Sequence, residues 1–276
     1  MTSFLSDDDA PWFEALRARP QAFHALRADP RVSFTLYVPE GFIQAPAEYS
    51  LIVSVHGSGR NAHEYRDAFA EFADAHRCVV LAPLFPVGVL GDGYADGYKN
   101  LIEGNCRYDL LLLEMVKDIE EAFDCRFGPF YLFGFSGGGQ FAHRFFYLHP
   151  DRLAAVSIGA PGAVTRIDDT RRWWFGTQDV AERFGARFEP ENLKTVRVQL
   201  VVGGNDTEAF VIPKRLQPLI DSLGNIGRNR VERLGVLQQN YRRAGIDAQL
   251  DVIPGVAHEG LKVVSAVQTF FRPLLA

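Results

Sequence analysis

The sequence predicts an α/β fold built around a mostly parallel sheet. From about residue 50 onward, short apolar runs alternate with stretches whose apolar residues recur at helical spacing. The apolar runs lack polar alternation, which is typical of strands covered by helices on both faces. The length of 276 residues suits one large α/β domain. We therefore expect a single domain over residues 1–276.

The predicted strands are short apolar runs, most of which end at glycine, histidine or proline. Before them, residues 1–30 predict a helical extension, with helices at 11–19 and 21–28 separated by Pro20. Pro83 is expected to end the run that starts at Cys78. The expected strands are residues 32–38, 50–55, 78–82, 130–135, 153–158, 196–202 and 248–253.

Helices and loops are expected between these strands. The helix at 228–243 is charged and is expected to be an exposed surface element. Residues 84–104 are rich in Gly, Asp, Tyr and Pro and predict a long loop, while the irregular residues 161–195 predict a small lid-like excursion. Helical periodicity predicts helices at 64–76, 108–123, 137–148, 228–243 and 261–271.

Composition and charge exclude several classes of protein. The net charge is −5 and the basic residues are scattered, so no nucleic-acid partner is expected. The N-terminus does not resemble a signal peptide and no apolar run is long enough to span a bilayer, so we expect a cytoplasmic protein without a membrane partner. Asp92 and Asp96 do not continue into a calcium-loop series, and no metal is expected. The sequence allows a homo-oligomer. No disulfide or zinc site is expected from Cys78, Cys106 and Cys125.

The stretch GFSGG at residues 134–138 predicts a nucleophilic serine. It lies between an expected strand and an expected helix, where a sharp turn would expose the Ser136 hydroxyl at the carboxyl end of the sheet. The turn would also bring the N–H of Gly137 to the positive end of the helix. The alternative is a glycine-rich turn that merely joins a strand to a helix.

A serine nucleophile needs a base and an acid that orients the base. His258 follows the last expected strand, in a loop that returns to the same end of the sheet as Ser136. Asp206 follows the strand at 196–202 and lies between Ser136 and His258 in chain order. Glu208 is the nearest rival acid, and Asp206 itself has an alternative role as a turn residue.

An oxyanion hole requires two hydrogen-bond donors. The Gly137 N–H is one expected donor. The second is expected in HGSG at residues 56–59, which follows an earlier strand, and we assign it to the Ser58 N–H with Gly59 as the rival. His56 is expected to brace this loop without titrating during catalysis.

Taken together, these motifs resemble the α/β-hydrolase superfamily. HGSG, GFSGG, GGND at 203–206 and GVAHEG at 255–260 occur in the superfamily's order, over roughly residues 30–276. Residues 51–83 look like polyhydroxybutyrate-depolymerase-like and dienelactone-hydrolase-like esterases, although Ser136 stands where a dienelactone hydrolase has a cysteine. The resemblance implies an eight-stranded, mostly parallel sheet and a Ser–His–Asp triad that needs no cofactor.

Several aromatic residues are expected near the site. Phe85, Tyr94 and Tyr98 belong to the loop at 84–104 and are predicted to line an acyl or alcohol pocket. Trp173 and Trp174 are predicted to contact substrate as part of a lid, with ordinary hydrophobic packing as the alternative.

The sequence therefore predicts a serine esterase that cleaves a small carboxylic ester through an acyl-enzyme. Three other functions use the same fold. The first is a peptidase or amidase with the same triad, and the second is a cofactor-free lyase or perhydrolase. The third is a non-catalytic ligand-binding module, against which the complete set of three triad residues argues.

Overall fold

The computed structural model describes residues 10–185, 187–209 and 224–275, which are organised around an eight-stranded sheet. The strands are β1 (His24–Ala25), β2 (Ser33–Tyr37), β3 (Ser50–Val55), β4 (Cys78–Leu84), β5 (Phe130–Phe135), β6 (Leu153–Gly159), β7 (Arg197–Gly203) and β8 (Ala248–Ile253). Their order in the sheet is β1-β2-β4-β3-β5-β6-β7-β8. Strands β1 and β2 are antiparallel to their neighbours, and all the later pairs are parallel.

Helices cover both faces of this sheet. They are α1 (Ala10–Ala18), α2 (Ala62–Asp67), α3 (Ala70–His76), α4 (Tyr108–Ala122), α5 (Gly137–Leu148), α6 (Val180–Phe184), α7 (Arg230–Arg243) and α8 (Val264–Phe271). Alternate residues of β5 show the two layers, because successive side chains of a strand point to opposite faces. Phe130 packs on Phe145 of α5, whereas Phe133 packs on Tyr65 of α2.

The N-terminal region contributes to the sheet, which corrects part of the helical prediction. Helix α1 matches the helix expected at 11–19, but residues 21–28 do not form a second helix. His24 and Ala25 instead pair with Phe34 and Ser33 of β2. A helix as short as this segment has little stability by itself, so pairing with the neighbouring strand outweighs the local helical pattern.

Two further boundaries differ from the prediction. The helix expected at 64–76 is split into α2 and α3, and the Ala68 carbonyl between them accepts a hydrogen bond from Gln268 of α8. Strand β4 continues through Pro83 to Leu84. Its pairing with β3 ends at Leu81, so at Pro83 only β2 lies alongside. A proline without an N–H is tolerated at such an edge.

Helix α7 is not a purely exposed helix as predicted. Its Leu234, Leu237 and Tyr241 are buried, and Tyr241 contacts the rings of Phe146 and Tyr147 on α5. This buried face of α7 is not apparent in the charged sequence, because only every third or fourth residue of the helix contributes to it.

The two expected loops contain short ordered elements. The segment 84–104 carries a 3-10 turn at Tyr98–Asn100, and a small hairpin joins Ile102–Glu103 to Cys106–Arg107. The segment 161–195 carries α6 and a 3-10 stretch at Pro190–Thr195. All three cysteines are buried and free. Within the described parts of the chain, no helix combines the length and apolar character that a membrane span requires.

Candidate active site

Ser136 lies at a strained turn between β5 and α5. Its backbone has φ 57° and ψ −109°, a conformation that non-glycine residues rarely adopt. The turn is packed so closely that neighbouring side chains are excluded. A Cβ on Gly134 would lie 2.1 Å from the carbonyl oxygen of Gly138, and a Cβ on Gly138 would lie 2.1 Å from that of Val55. This explains why glycines flank Ser136 on both sides.

The structure brings Ser136, His258 and Asp206 into one hydrogen-bonded line. His258 Nε2 lies 3.0 Å from Ser136 Oγ, and His258 Nδ1 lies 2.6 Å from Asp206 Oδ2. Because the carboxylate can only accept, Nδ1 carries the proton and Nε2 is free to accept from the serine hydroxyl. The geometry has the order that serine hydrolases need: nucleophile, base and orienting acid.

Backbone hydrogen bonds hold the loops that carry His258 and Asp206 together. The N–H of Gly204 donates to Ile253 O, and the N–H of Asn205 donates to Val256 O, both at 2.8 Å. The imidazole of His258 also packs on the ring of Phe135, with ring centroids 4.9 Å apart. The acid and base are therefore fixed by the ends of β7 and β8, as parallel strands bring their carboxyl ends to one edge.

The loop after β3 is braced by His56, as expected. His56 Nδ1–H donates to Gly57 O at 2.7 Å, while the N–H of Phe85 donates to His56 Nε2 at 3.1 Å. Burial lowers the pKa of His56 to about 4, so the ring is neutral at physiological pH. Ser58 lies at the tip of this loop, and Gly137 is the first residue of α5, where backbone N–H groups have no intrahelical acceptor.

Arg60 is a second brace of this loop that the sequence analysis missed. Its guanidinium donates to the carbonyl oxygens of Phe85 at 3.0 Å, Ser58 at 2.8 Å and Ala95 at 2.6 Å. These bonds tie the HGSG loop to the segment 84–104. The one sequence signal is its position directly after HGSG, which does not reveal contacts with residues 25 to 35 positions away.

A cavity of about 500 Å³ opens beside Ser136 and His258. Tyr65, from α2, lines it although the sequence analysis did not select this residue. Leu261 and Lys262 lie in a 3-10 helix between β8 and α8 and form part of its rim, where both side chains are exposed. The lining consists of Gly57, Ser58, Gly59, Asn61, Tyr65, Phe135, Ser136, His258, Glu259, Gly260, Leu261 and Lys262.

The five aromatic residues predicted to contact substrate do not line this cavity. Phe85 is buried between the rings of Tyr98 and Phe141. The Tyr98 ring is buried as well, with its hydroxyl beside Gly137, where an added Cβ would lie 2.2 Å away. Tyr94 is exposed on the loop surface. A contact between these side chains and substrate stays a prediction.

The two tryptophans have different environments. Trp173 is buried, its indole N–H donates to Asn100 O at 3.0 Å, and its ring packs on Phe184. Trp173 therefore shows the ordinary hydrophobic packing that was the alternative to a substrate contact. Trp174 is partly exposed, and its carbonyl accepts from the hydroxyl of Thr165. A lid role for the segment 161–195 stays a prediction.

Comparison with solved structures places this architecture among known folds. The chain is similar to a poly(3-hydroxybutyrate) depolymerase from Bordetella parapertussis, with 23% identity, a TM-score of 0.75 and coverage of 97% of this chain and 94% of the other. A poly(aspartic acid) hydrolase-1 from Sphingomonas sp. KT-1 shows 20% identity and a TM-score of 0.68, over 86% and 92% of the two chains. The chain has the α/β-hydrolase fold. The expected eight-stranded, mostly parallel sheet is therefore confirmed.

A third solved structure is similar to the chain at lower identity. An S-formylglutathione hydrolase from Agrobacterium tumefaciens has 16% identity and a TM-score of 0.59, with coverage of 92% of this chain and 93% of the other. No protein-family model and no curated protein sequence matches the chain significantly. At these identities the likeness shows the fold alone.

Proposed function

We propose that this chain is a serine hydrolase that cleaves carboxylic esters through an acyl-enzyme. The observation that carries the proposal is the hydrogen-bonded line of Ser136, His258 and Asp206. A neutral imidazole that accepts from a serine hydroxyl and is held by a buried carboxylate is what activates a serine for attack on a carbonyl carbon. The strained turn at Ser136 supports the same reading, because such strain is typical of functional positions.

The proposed reaction has two halves. His258 takes the proton of Ser136 as its oxygen attacks the ester carbonyl, and Asp206 stabilises the imidazolium. The N–H groups of Ser58 and Gly137 stabilise the oxyanion, each by about 3 kcal/mol in comparable sites. The imidazolium then donates its proton to the leaving alkoxide, and the alcohol departs. In the second half, His258 activates a water that attacks the acyl-enzyme, and the released acid leaves Ser136 in its initial state.

The cavity indicates which residues contact a substrate. Tyr65 and Leu261 both line it, and the Leu261 side chain offers an apolar contact. Burial raises the pKa of Tyr65 far above neutral, so its hydroxyl remains protonated. We propose a small ester, because a volume of about 500 Å³ is in the lower part of the range of small-molecule sites.

Amide cleavage on the same triad is a second candidate. It is supported by the likeness to poly(aspartic acid) hydrolase-1, whereas two other similar structures carry the names of esterases. Turnover of p-nitrophenyl esters compared with that of the matching p-nitroanilides separates ester cleavage from amide cleavage. We expect the esters to be turned over faster.

The decisive experiment replaces the proposed nucleophile. We expect Ser136→Ala to lower kcat for p-nitrophenyl acetate by about 10⁴-fold or more, since removal of a triad member disables the whole unit. A serine-directed phosphonate should label the unmodified chain at Ser136 and leave the variant unlabelled. Ser265→Ala is the matched control, because it removes an exposed serine hydroxyl on α8 that does not line the cavity. Retention of normal turnover by Ser136→Ala contradicts the proposal.

A further inference from the structure

Asp206 is held from two sides. Its Oδ2 faces His258, while its Oδ1 lies 3.1 Å from Nη1 of Arg230, the first residue of α7. The Asp206 side chain is 1% exposed and that of Arg230 is 17% exposed. A buried carboxylate requires such partners, because removing an ion from water is costly unless its oxygens are paired.

Helix α7 gives Arg230 a fixed position. Asn229 caps the helix by accepting from the N–H of Glu232 at 2.9 Å. One turn further on, Arg233 is buried and donates to Gly227 O at 3.1 Å, as well as to Gly162 O. Arg228, which precedes the helix, is largely exposed and pairs with Glu232 instead. Neighbouring arginines therefore differ sharply in environment.

We propose that Arg230 is a positioning residue for the triad, which holds the Asp206 carboxylate in the orientation that His258 needs and extends activity to lower pH. The proposal rests on the function proposed above. Its electrostatic part follows from sign: a cation beside Asp206 offsets the attraction of the carboxylate for a protonated imidazole. Loss of this cation should therefore raise the pH at which activity falls off on the acid side.

Among the described residues, the other ionisable groups near His258 do not replace Arg230. On its own loop, Glu259 is paired with Lys262 at 2.7 Å. From α2, the Tyr65 hydroxyl remains neutral, and Glu208 is exposed on the loop of Asp206. Arg233 adds positive charge behind Arg230, but its guanidinium donates to backbone carbonyls. In the part of the chain that the structure describes, Arg230 and His258 are the basic groups that contact Asp206.

The test compares Arg230→Gln and Arg230→Lys with Arg228→Gln, a matched change at the exposed arginine. With p-nitrophenyl acetate, we expect Arg230→Gln to lower kcat by roughly 10- to 100-fold and to change KM by less than about twofold. The acid limb of its pH–rate profile should move upward by roughly half to one pH unit. Arg230→Lys keeps the positive charge, so its acid limb should stay where it is in the unmodified chain, and kcat should recover in part. Arg228→Gln should leave both unchanged.

A measurement without substrate keeps the test independent of turnover. The NMR signal of the His258 Nδ1 proton, which lies in the hydrogen bond to Asp206, should shift in Arg230→Gln and remain in place in Arg228→Gln. An unchanged Nδ1 proton signal and an unchanged kcat in Arg230→Gln overturn the positioning role even where Ser136→Ala is inactive. If Arg230→Gln does not fold, Arg230→Lys provides the test. A kcat of Arg230→Lys equal to that of the unmodified chain would show that the guanidinium is not needed to orient Asp206, which overturns the proposal. Failure of the proposed function has a separate sign, which is the lack of Ser136 labelling.

Discussion

At the scale of single residues, burial assigns different roles to histidines that look alike in the sequence. His258 is partly exposed and contacts Ser136 and Asp206. His56 and His143 are fully buried and hydrogen-bonded to backbone groups, and burial lowers the pKa of each. A buried imidazole that accepts a backbone N–H stays neutral, so these two rings hold backbone segments in place and are uncharged at neutral pH.

This environment predicts a pH dependence of stability. The unfolded chain protonates His56 below about pH 6.5, whereas the native ring resists protonation down to about pH 4. The free energy of unfolding should therefore fall as the pH decreases from 6.5 to 4, with about 3 kcal/mol from this residue. Urea unfolding at several pH values measures the slope, and His56→Gln should reduce it. Equal slopes for the two proteins contradict the assignment.

At the scale of elements, the segment after β6 shows how a loop is fixed without regular structure. Asp179, which precedes α6, accepts from the N–H of Trp173 at 2.6 Å and pairs with Arg172 and Arg183. Its side chain is almost fully buried, and these hydrogen bonds and cations outweigh the cost of burial and lower its pKa to about 2. Trp173 is therefore held in the core by a carboxylate that stays ionised at neutral pH.

Helix α7 offers a prediction about the stability of an element. Gly235 lies inside α7, and a Cβ built on it meets no atom of the described residues within 4 Å. Gly235→Ala should raise the free energy of unfolding by about 0.5–1 kcal/mol, because alanine loses less backbone entropy in a helix. Chemical denaturation checks this value. The same substitution at Gly134 is the contrasting control and should destabilise the protein, since its Cβ would meet the Gly138 carbonyl.

At the scale of the whole molecule, one hydrophobic cluster connects the described ends of the chain. It contains Phe13 and Leu16 of α1 as well as Val267 and Phe271 of α8. The C-terminal helix also reaches the central sheet, because Phe271 packs on Tyr131 with ring centroids 5.3 Å apart. A continuous core of this kind favours unfolding as one unit.

We therefore expect one cooperative transition for the chain. Trp12 reports on α1, while Trp173 and Trp174 report on the segment before α6. The variant Trp12→Phe keeps only the fluorescence of Trp173 and Trp174, and a double variant that lacks these two keeps only that of Trp12. For each variant, the midpoint of thermal unfolding measured by fluorescence should equal the midpoint measured by far-ultraviolet circular dichroism. A lower midpoint from Trp12 alone would show that the N-terminal region unfolds separately.

Much of the fold and of the proposed site could be predicted from the sequence. Apolar runs without polar alternation marked the strands of the parallel part of the sheet, and their spacing set the order of the elements. Ser136, Asp206 and His258 could be selected because each follows a strand, and parallel strands present their carboxyl ends at one edge. The catalytic roles of these three residues remain proposals, although their mutual distances are those that the predicted relay requires.

By itself, the sequence determined the layered α/β architecture and the residues that gather at its carboxyl edge, because both follow from local periodicity and chain order. Only the tertiary structure decided that 24–25 joins the sheet, that Phe85 and Trp173 are buried away from the cavity, and that Tyr65 lines it. It also revealed Arg60 and Arg230 as partners of the site. Such contacts join residues far apart in the chain, and no local pattern records which distant partner a long or aromatic side chain will meet.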